Sequence, residues 1–392
     1  MRILHLTHNY PRHDGDLAGA FIERLVLAQV ALGHGVEVLT PADAGAAGDA
    51  VRGGVSVHRL RYAPARWETL AHTGTMASAL GSPRGLATFG SLVTAQARAA
   101  AGLARSGAAE LVHAHWWIPG GASAWLARAW GSVPYVVTLH GTDVALLARS
   151  AFARALARRV LRGAAAVTAV SAYLASKAAA VAGLAPGAIL VQPMPLDTGQ
   201  FARTSAGGGG VVTVGRLTVQ KRIGLILDAV AALQGRGRPL ALTIVGDGPE
   251  RGALEAQASR LGIADLTRFI GAVEPARVAG AIGDADVFAF TAVGEGYGLA
   301  AAEALALGVP VIALADGGGA TEIAGRAGAG CVVPAGDAGA LERAIADLAA
   351  SPDARRRAAA EGARLKEELD AAAVARRFDA VYHRALAGRR IG

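Results

Sequence analysis

"VFAFTAVGEGYGLAAAEALALGVPVIA", residues 287–313, reads as strand, loop, helix and strand in one short run. Residues 287–290 are apolar throughout, as a strand buried on both faces of a sheet must be. Gly294, Gly296 and Gly298 make the following loop pliable, and the Ala/Leu-rich stretch 299–307 is a strong helix former that starts near Gly298. Residues 309–313 then return to an apolar strand pattern. Two buried strands joined by a helix form a parallel crossover, because parallel strands cannot be linked by a tight hairpin. The fold class is therefore α/β.

The same rhythm extends outward. Strands are expected at 211–214, 242–245 and 268–270, and in the first half at 3–6, 36–40, 55–60, 111–113, 135–139 and 166–170, with helical stretches between. The first helix has Phe21, Leu25, Ala28 and Leu32 on one face. "TSAGGGG", residues 204–210, is the clearest break and the expected hinge. At 392 residues two domains are expected, both doubly wound and Rossmann-like: 1–197 and 198–370. Charged, Ala-rich sequence after Pro352 reads as two closing helices, and the segment 371–392 is expected to return to the N-terminal domain.

Composition narrows the function. Hydrophobic residues make up 53% of the chain but aromatics only 5%, which favours close helix-on-sheet packing. Cys331 is the sole cysteine, so neither an intramolecular disulfide nor a Cys-based zinc site can form, and a cytoplasmic location is expected. Residues 1–197 hold 17 Lys+Arg against 10 Asp+Glu, and subtraction from the totals of 39 and 31 leaves 22 against 21. The positive excess is thus N-terminal. Of the basic residues only Lys177, Lys221 and Lys366 are lysines, and no basic run interleaved with aromatics points to nucleic acid. A helix over 151–162 lines up Arg154, Arg158 and Arg162 opposite Phe152, Leu156 and Val160, a pattern that suits either packing on its own domain or peripheral contact with an anionic membrane, at its inner face.

Ligands of open parallel sheets bind at the carboxyl ends of strands. After strand 211–214 come Gly215, Arg216 and Lys221, two cations able to neutralise a diphosphate, or else two solvated charges before a helix. After strand 287–290 comes the helix start near Gly298, whose free N–H groups suit a phosphate. Glu295 falls in that loop and Glu303 more than a turn into the helix, so they are placed to accept hydrogen bonds from separate hydroxyls rather than to share a proton or metal. Asp284 and Asp286 have Asp-x-Asp spacing but read as ordinary helix-to-strand sequence. His113 and His115 face one side of a strand with no third metal ligand evident, so a structural role is expected.

"VGRLTVQK", "IVGDGPE", "ADVFAFTAVGEGYGLAAAEALALGVPVIA" and "GGGATEI" together resemble the C-terminal domain of retaining family-4 glycosyltransferases of the GT-B fold, a glycogen-synthase-like group. "GAFIERLVLAQVALGHGVEVLTP", "VHAHWWIPGG", "TLHGTD" and "VSAYL" resemble the N-terminal domain of that family in the same order. The resemblance covers nearly the whole chain and implies two Rossmann-like domains facing each other across a cleft, the acceptor on the N-terminal side and the donor on the C-terminal side. It implies that Arg216 and Lys221 bind the donor diphosphate, that Glu295 faces the transferred sugar, and that Glu303 holds ribose hydroxyls. Backbone N–H groups at Gly298 and Leu299 would complete the phosphate site, and His140 would lie near the sugar and reacting carbon. Gly19 matches the first place of a glycine pair that approaches the donor phosphate, whereas Ala20 departs from the second.

The implied activity is metal-independent, retaining transfer of a hexose from a UDP- or GDP-sugar to a glycan, lipid-linked or small-molecule acceptor, with no cofactor beyond the donor. A nucleotide-sugar epimerase of the same fold and a non-catalytic sugar-nucleotide binding module are the rival expectations. A phosphorylase would need a cofactor lysine in a chain whose Lys221 is already at the phosphate site.

Overall fold

The computed structural model describes residues 1–392 apart from Leu17, 44–45, 73–75, Arg149, 198–207 and 389–392. The chain divides into two compact units, Met1–Pro195 with Ala371–Gly392, and Leu196–Asp370. In the glycine-rich break, residues 204–207 lie outside the described residues.

The first unit holds β1 (Arg2–Leu6), β2 (Gly35–Pro41), β3 (Gly48–Arg52), β4 (Val55–Leu60), β5 (Leu111–His115), β6 (Tyr135–Leu139), β7 (Ala166–Ala169) and β8 (Leu190–Val191). Their order across the sheet is β3-β4-β2-β1-β5-β6-β7-β8, parallel throughout except for β3 against β4. The second unit holds β9 (Val211–Val214), β10 (Leu242–Val245), β11 (Thr267–Gly271), β12 (Val287–Phe290), β13 (Val311–Leu314) and β14 (Gly330–Val333), all parallel in the order β11-β10-β9-β12-β13-β14. Both sheets grow outward one way from their first strand and then restart on its other side. That reversal opens a crevice at the carboxyl ends of β1 and β5 in one unit and of β9 and β12 in the other.

Strand alternation covers the second sheet on both faces. Val287 and Ala289 of β12 join Ile312 of β13 in one core with Ile226, Leu227 and Val230. Phe288 and Phe290 point the other way and join Val311, Ala313 and the helix Leu299–Ala306 in a second core. Each fully buried large side chain contributes about 1.5–3 kcal/mol, so the two-sided burial drives folding of this sheet. Small residues set the helix spacing. A Cβ added at Gly362 of the helix Pro352–Glu368 would lie 2.0 Å from the Leu305 carbonyl oxygen. This close approach accounts for the Ala/Gly-rich composition.

The strands missed from sequence are β3, β8 and β14. All three are edge strands: β3 is exposed along nearly all its length, β8 is two residues long, and β14 is apolar but only four residues long. β13 starts two residues later than expected. Pro310 has no N–H to give a ladder, though its carbonyl accepts from Phe288 N–H at 2.9 Å.

Asp286 has a structural assignment. Its carboxylate accepts the Gly208 and Gly210 N–H groups at 2.8 and 3.0 Å and pairs with Arg355, anchoring the entry to β9. Asp286→Ala would remove the acceptor of two backbone N–H groups and one ion-pair partner of Arg355, so urea unfolding should show a loss of about 2–3 kcal/mol; a change below about 0.5 kcal/mol would contradict this anchoring.

Candidate functional site

At the crevice of the second sheet, three loops lock together. The loop leaving β9 carries Gly215, Arg216 and Lys221, and the loop leaving β12 carries Glu295. Lys221 pairs with Glu295, with Nζ 5.2 Å from the centroid of Phe290. The flanking chain is fixed too: Val293 N–H donates to the Gln220 carbonyl at 3.1 Å, and the Thr291 hydroxyl donates to the Lys221 carbonyl at 2.8 Å. Arg216 is exposed and makes no hydrogen bond or ion pair among the described residues. Of these two cations, Lys221 is held by a carboxylate and Arg216 is exposed.

The loop leaving β13 packs beneath Glu295. Glu295 N–H donates to the Gly317 carbonyl at 3.3 Å, and its carbonyl accepts from Gly319 N–H at 2.9 Å. Arg222, next to Lys221, grips Asp316 with two hydrogen bonds of 2.8 and 2.5 Å, which hold the Asp316 carboxyl below its ordinary range. Sequence reading missed this pair, since nothing local signals a contact between residues so far apart.

The helix Leu299–Ala306 begins at Gly298, as expected. Gly298 has φ +85°, and a Cβ there would lie 2.7 Å from the Ala320 Cβ. The first intrahelical bond runs from Ala302 N–H to the Gly298 carbonyl at 3.0 Å, so the N–H groups of Leu299 to Ala301 precede it and aim out of the helix start. Glu303 lies in the fifth helical position, partly buried. A cation pair, a carboxylate and a helix N-terminus at one sheet edge can bind a doubly charged phosphate group and polar hydroxyls together.

In the first unit, Gly19 caps the helix Ala20–Ala31 with φ +77°, and a Cβ there would lie 2.2 Å from the Asn9 carbonyl oxygen. Only glycine fits. Ala20 is already the first helical residue. His140 follows β6, with its ring 4.4 Å from Trp116 and 5.2 Å from Phe21 between centroids. Asp143 fixes this corner: its buried carboxylate accepts from Gly141, Trp117 and His140 N–H groups at 2.9, 3.1 and 3.3 Å.

His113 and His115 share one side of β5 as expected, but the third histidine that sequence reading did not find is His5, in register with His113 on β1. Every ring nitrogen of the trio is hydrogen-bonded. His5 meets His115 at 3.0 Å and Gln29 at 2.8 Å, His113 meets Tyr382 and Thr138 at 2.7 Å each, and His115 meets His140 at 3.1 Å. A metal ion there would have to displace these bonds, so the arrangement fits a hydrogen-bond network better than a ligand set. Burial lowers the pKa of His5 to about 4 and that of His140 to about 3.

On the helix Ala151–Gly163, Val160 is buried and Phe152 exposed, while Arg154, Arg158 and Arg162 donate to the Leu147, Ala182 and Gly183 carbonyls at 3.2, 2.6 and 3.2 Å. These arginines are engaged within their own unit. Among the described residues no helix is long and apolar enough to cross a membrane.

Residues 207–365 match the family described as glycosyl transferases group 1, and residues 18–195 match the glycosyl transferase 4-like domain. The chain is similar to the GDP-mannose-dependent alpha-(1-6)-phosphatidylinositol monomannoside mannosyltransferase of Mycolicibacterium smegmatis, 35% identical over 60% of this chain and 65% of that protein, just under two thirds of its length. It is also similar to D-inositol 3-phosphate glycosyltransferase 2 of Catenulispora acidiphila, 30% identical over 88% of this chain and 86% of that one. Two solved structures share the fold: sucrose-phosphate synthase from Thermosynechococcus elongatus (TM-score 0.79, 22% identity, 98% of this chain and 99% of that one), and Anabaena HepE in complex with UDP and glucose (TM-score 0.70, 19% identity, 98% and 99%).

The geometry generates two expectations. Gly298→Val should cost about 1–3 kcal/mol in thermal or urea unfolding, because it meets both a left-handed backbone and Ala320; unchanged stability would refute the tight cap. Acid should destabilise the first unit. Above pH 6.5 the histidine rings are neutral in both folded and unfolded chain. Below it the unfolded chain takes up protons that folded His5, His8 and His140 refuse down to about 4, 3 and 3 respectively, so stability falls by about 1.4 kcal/mol per pH unit for each ring. Asp143, whose pKa burial raises, acts in the opposite sense. The urea midpoint should drop between pH 7.5 and pH 5; a level profile would count against neutral burial of the cluster.

Proposed function

The chain belongs to the group 1 glycosyl transferases and has their GT-B fold, and on that premise we propose that it moves a hexosyl unit from a UDP- or GDP-sugar to an acceptor with retention at the sugar carbon. The observation that carries the reading is the Lys221–Glu295 pair standing beside the helix start at Gly298, with Arg216 free to extend toward the same edge. The GDP-mannose in one relative's name and the UDP bound to a protein of the same fold support a nucleotide diphosphate donor.

On this reading the donor diphosphate takes Lys221 and Arg216 as counter-ions and the N–H groups at Gly298 and Leu299 as hydrogen-bond donors. Glu295 then turns its acceptor oxygens to the sugar hydroxyls, and Glu303 accepts from the ribose. For the first unit, the family resemblance carries over a role toward the donor sugar for His140 and toward its phosphate for Gly19. The bond between the sugar carbon and the phosphate oxygen breaks, leaving an oxocarbenium-like sugar and a diphosphate whose added charge the cations and helix N–H groups stabilise. The acceptor oxygen attacks from the face the phosphate leaves, and its proton passes to a phosphate oxygen, so atoms and charge balance without a covalent enzyme intermediate. Fixed cations take the role a divalent ion would otherwise play. The acceptor is a glycan, a lipid-linked or a small-molecule one, in glycan, polysaccharide or glycolipid synthesis.

Lys221→Ala and Glu295→Ala should each lower transfer by on the order of 10²–10³-fold while thermal melting stays near that of the parent, as loss of a preorganised charge contact does. Turnover near the parent level in either variant would sink the assignment. Melting with a panel of nucleotide sugars identifies the donor, since a ligand at about 100 times its Kd adds about 2.7 kcal/mol to the folded state. Turnover unchanged by chelator is expected; its loss would overturn the metal-independent part of the reading.

A further inference from the structure

We propose that Gln29, acting through His5 and His115, fixes the tautomer of His140, so that His140 keeps its proton on Nε2 and presents Nδ1 as a bare acceptor. This rests on the reading above in which His140 serves the donor sugar.

The argument follows the protons. A neutral imidazole has one N–H, so if one ring nitrogen donates the other must accept. Burial keeps these rings neutral. The Gln29 carbonyl oxygen faces His5 Nε2 at 2.8 Å and cannot donate, so His5 Nε2 carries the proton and Nδ1 is bare. His115 Nε2, 3.0 Å from that bare nitrogen, must then donate, which leaves His115 Nδ1 bare in turn. His140 Nε2, 3.1 Å away, completes the sequence by donating to it. His140 Nδ1 makes no hydrogen bond among the described residues.

The other end of the same amide is equally committed. Gln29 Nε2 donates to the Tyr382 hydroxyl at 2.8 Å, and Tyr382 donates to His113 Nδ1 at 2.7 Å. His113 Nε2 then donates to Thr138, whose hydroxyl lies 2.7 Å from that of Thr168. Every step is consistent with one direction of donation. An amide has a fixed donor at one end and a fixed acceptor at the other, whereas an imidazole can exchange the two by tautomerising, so Gln29 can set opposite polarities in the two arms. Reversing it would reverse both arms and leave His140 with Nδ1–H and a bare Nε2 toward His115. The free edge of His140 would then offer a donor where it now offers only an acceptor. Gln29 and Tyr382 are thus positioning residues: they touch no substrate, yet they decide which partner a sugar hydroxyl meets.

The test reads the tautomer directly. Two-bond ¹H–¹⁵N correlation on histidine-labelled protein, with His140 assigned from a His140→Gln variant, should show a neutral ring protonated at Nε2; a ring protonated at Nδ1 overturns the proposal. Gln29→Leu, and the gentler Tyr382→Phe, which removes the acceptor that orients the amide, should both convert His140 to a mixture of tautomers. The turnover number should fall about fivefold in Tyr382→Phe, the weight of one hydrogen bond, with donor KM little changed. A tautomer unmoved in either folded variant also overturns the proposal, and if neither folds the parent spectrum decides alone. Because the spectrum needs neither donor nor acceptor, failure of the transferase reading and failure of this one remain distinguishable.

Discussion

Lys221 and Glu295 stand 74 positions apart and meet because β9 and β12 are neighbours in the sheet. Much of the second unit serves that meeting. The two strands are adjacent only at the reversal of strand order, the one place where loops diverge enough to leave a crevice. Their side chains are held at the carboxyl ends because both faces of the sheet are sealed by apolar residues, so polar groups have nowhere else to go. The Arg222–Asp316 fork and the backbone bonds from Glu295 to Gly317 and Gly319 then tie the third loop beneath the pair.

What the sequence discloses is governed by range. Val287, Phe288, Ala289 and Phe290 announce a doubly buried strand because every residue in the run must be apolar, and the helix start at Gly298 is announced by a glycine followed by strong helix formers. Both are local constraints. β3 is silent because an exposed edge needs no apolar pattern, and Asp286 looks like half of a metal motif until Gly208, Gly210 and Arg355 take up its oxygens. Arg222 and Asp316, like His5 beside His113, are brought together by sheet order alone. A single sequence carries no mark of such pairings, whereas the motifs that resemble a family carry them implicitly.

The two units solve the problem of buried polarity differently. In the second, charged groups are paired at a partly exposed edge, where solvent screens them and a charged ligand can take over one partner. In the first, neutral rings, an amide and hydroxyls are buried at the central strands, with every ring nitrogen of His5, His113 and His115 filled. An unfilled one would cost about 1–3 kcal/mol. A charged network there would carry a larger desolvation penalty, so low histidine pKa values and the directionality of the hydrogen bonds have one cause.

That network also draws in a helix from beyond the second unit. Tyr382 stands between Gln29 and His113, Phe378 lies 5.0 Å from the His113 ring, and Asp379 accepts from His34 at 2.9 Å. All three belong to the helix Ala371–Leu386, which follows the entire second unit in sequence yet packs in the first. The second unit is in effect an insertion in the first, whose polar core lacks an essential hydroxyl until the last helix docks. Loop closure over so long an insertion adds little entropy beyond that of a shorter one, because the penalty grows only with the logarithm of length. The buried bonds made by Tyr382 therefore need to offset only a modest cost, and a covalently distant helix can complete the histidine network as reliably as a neighbouring one.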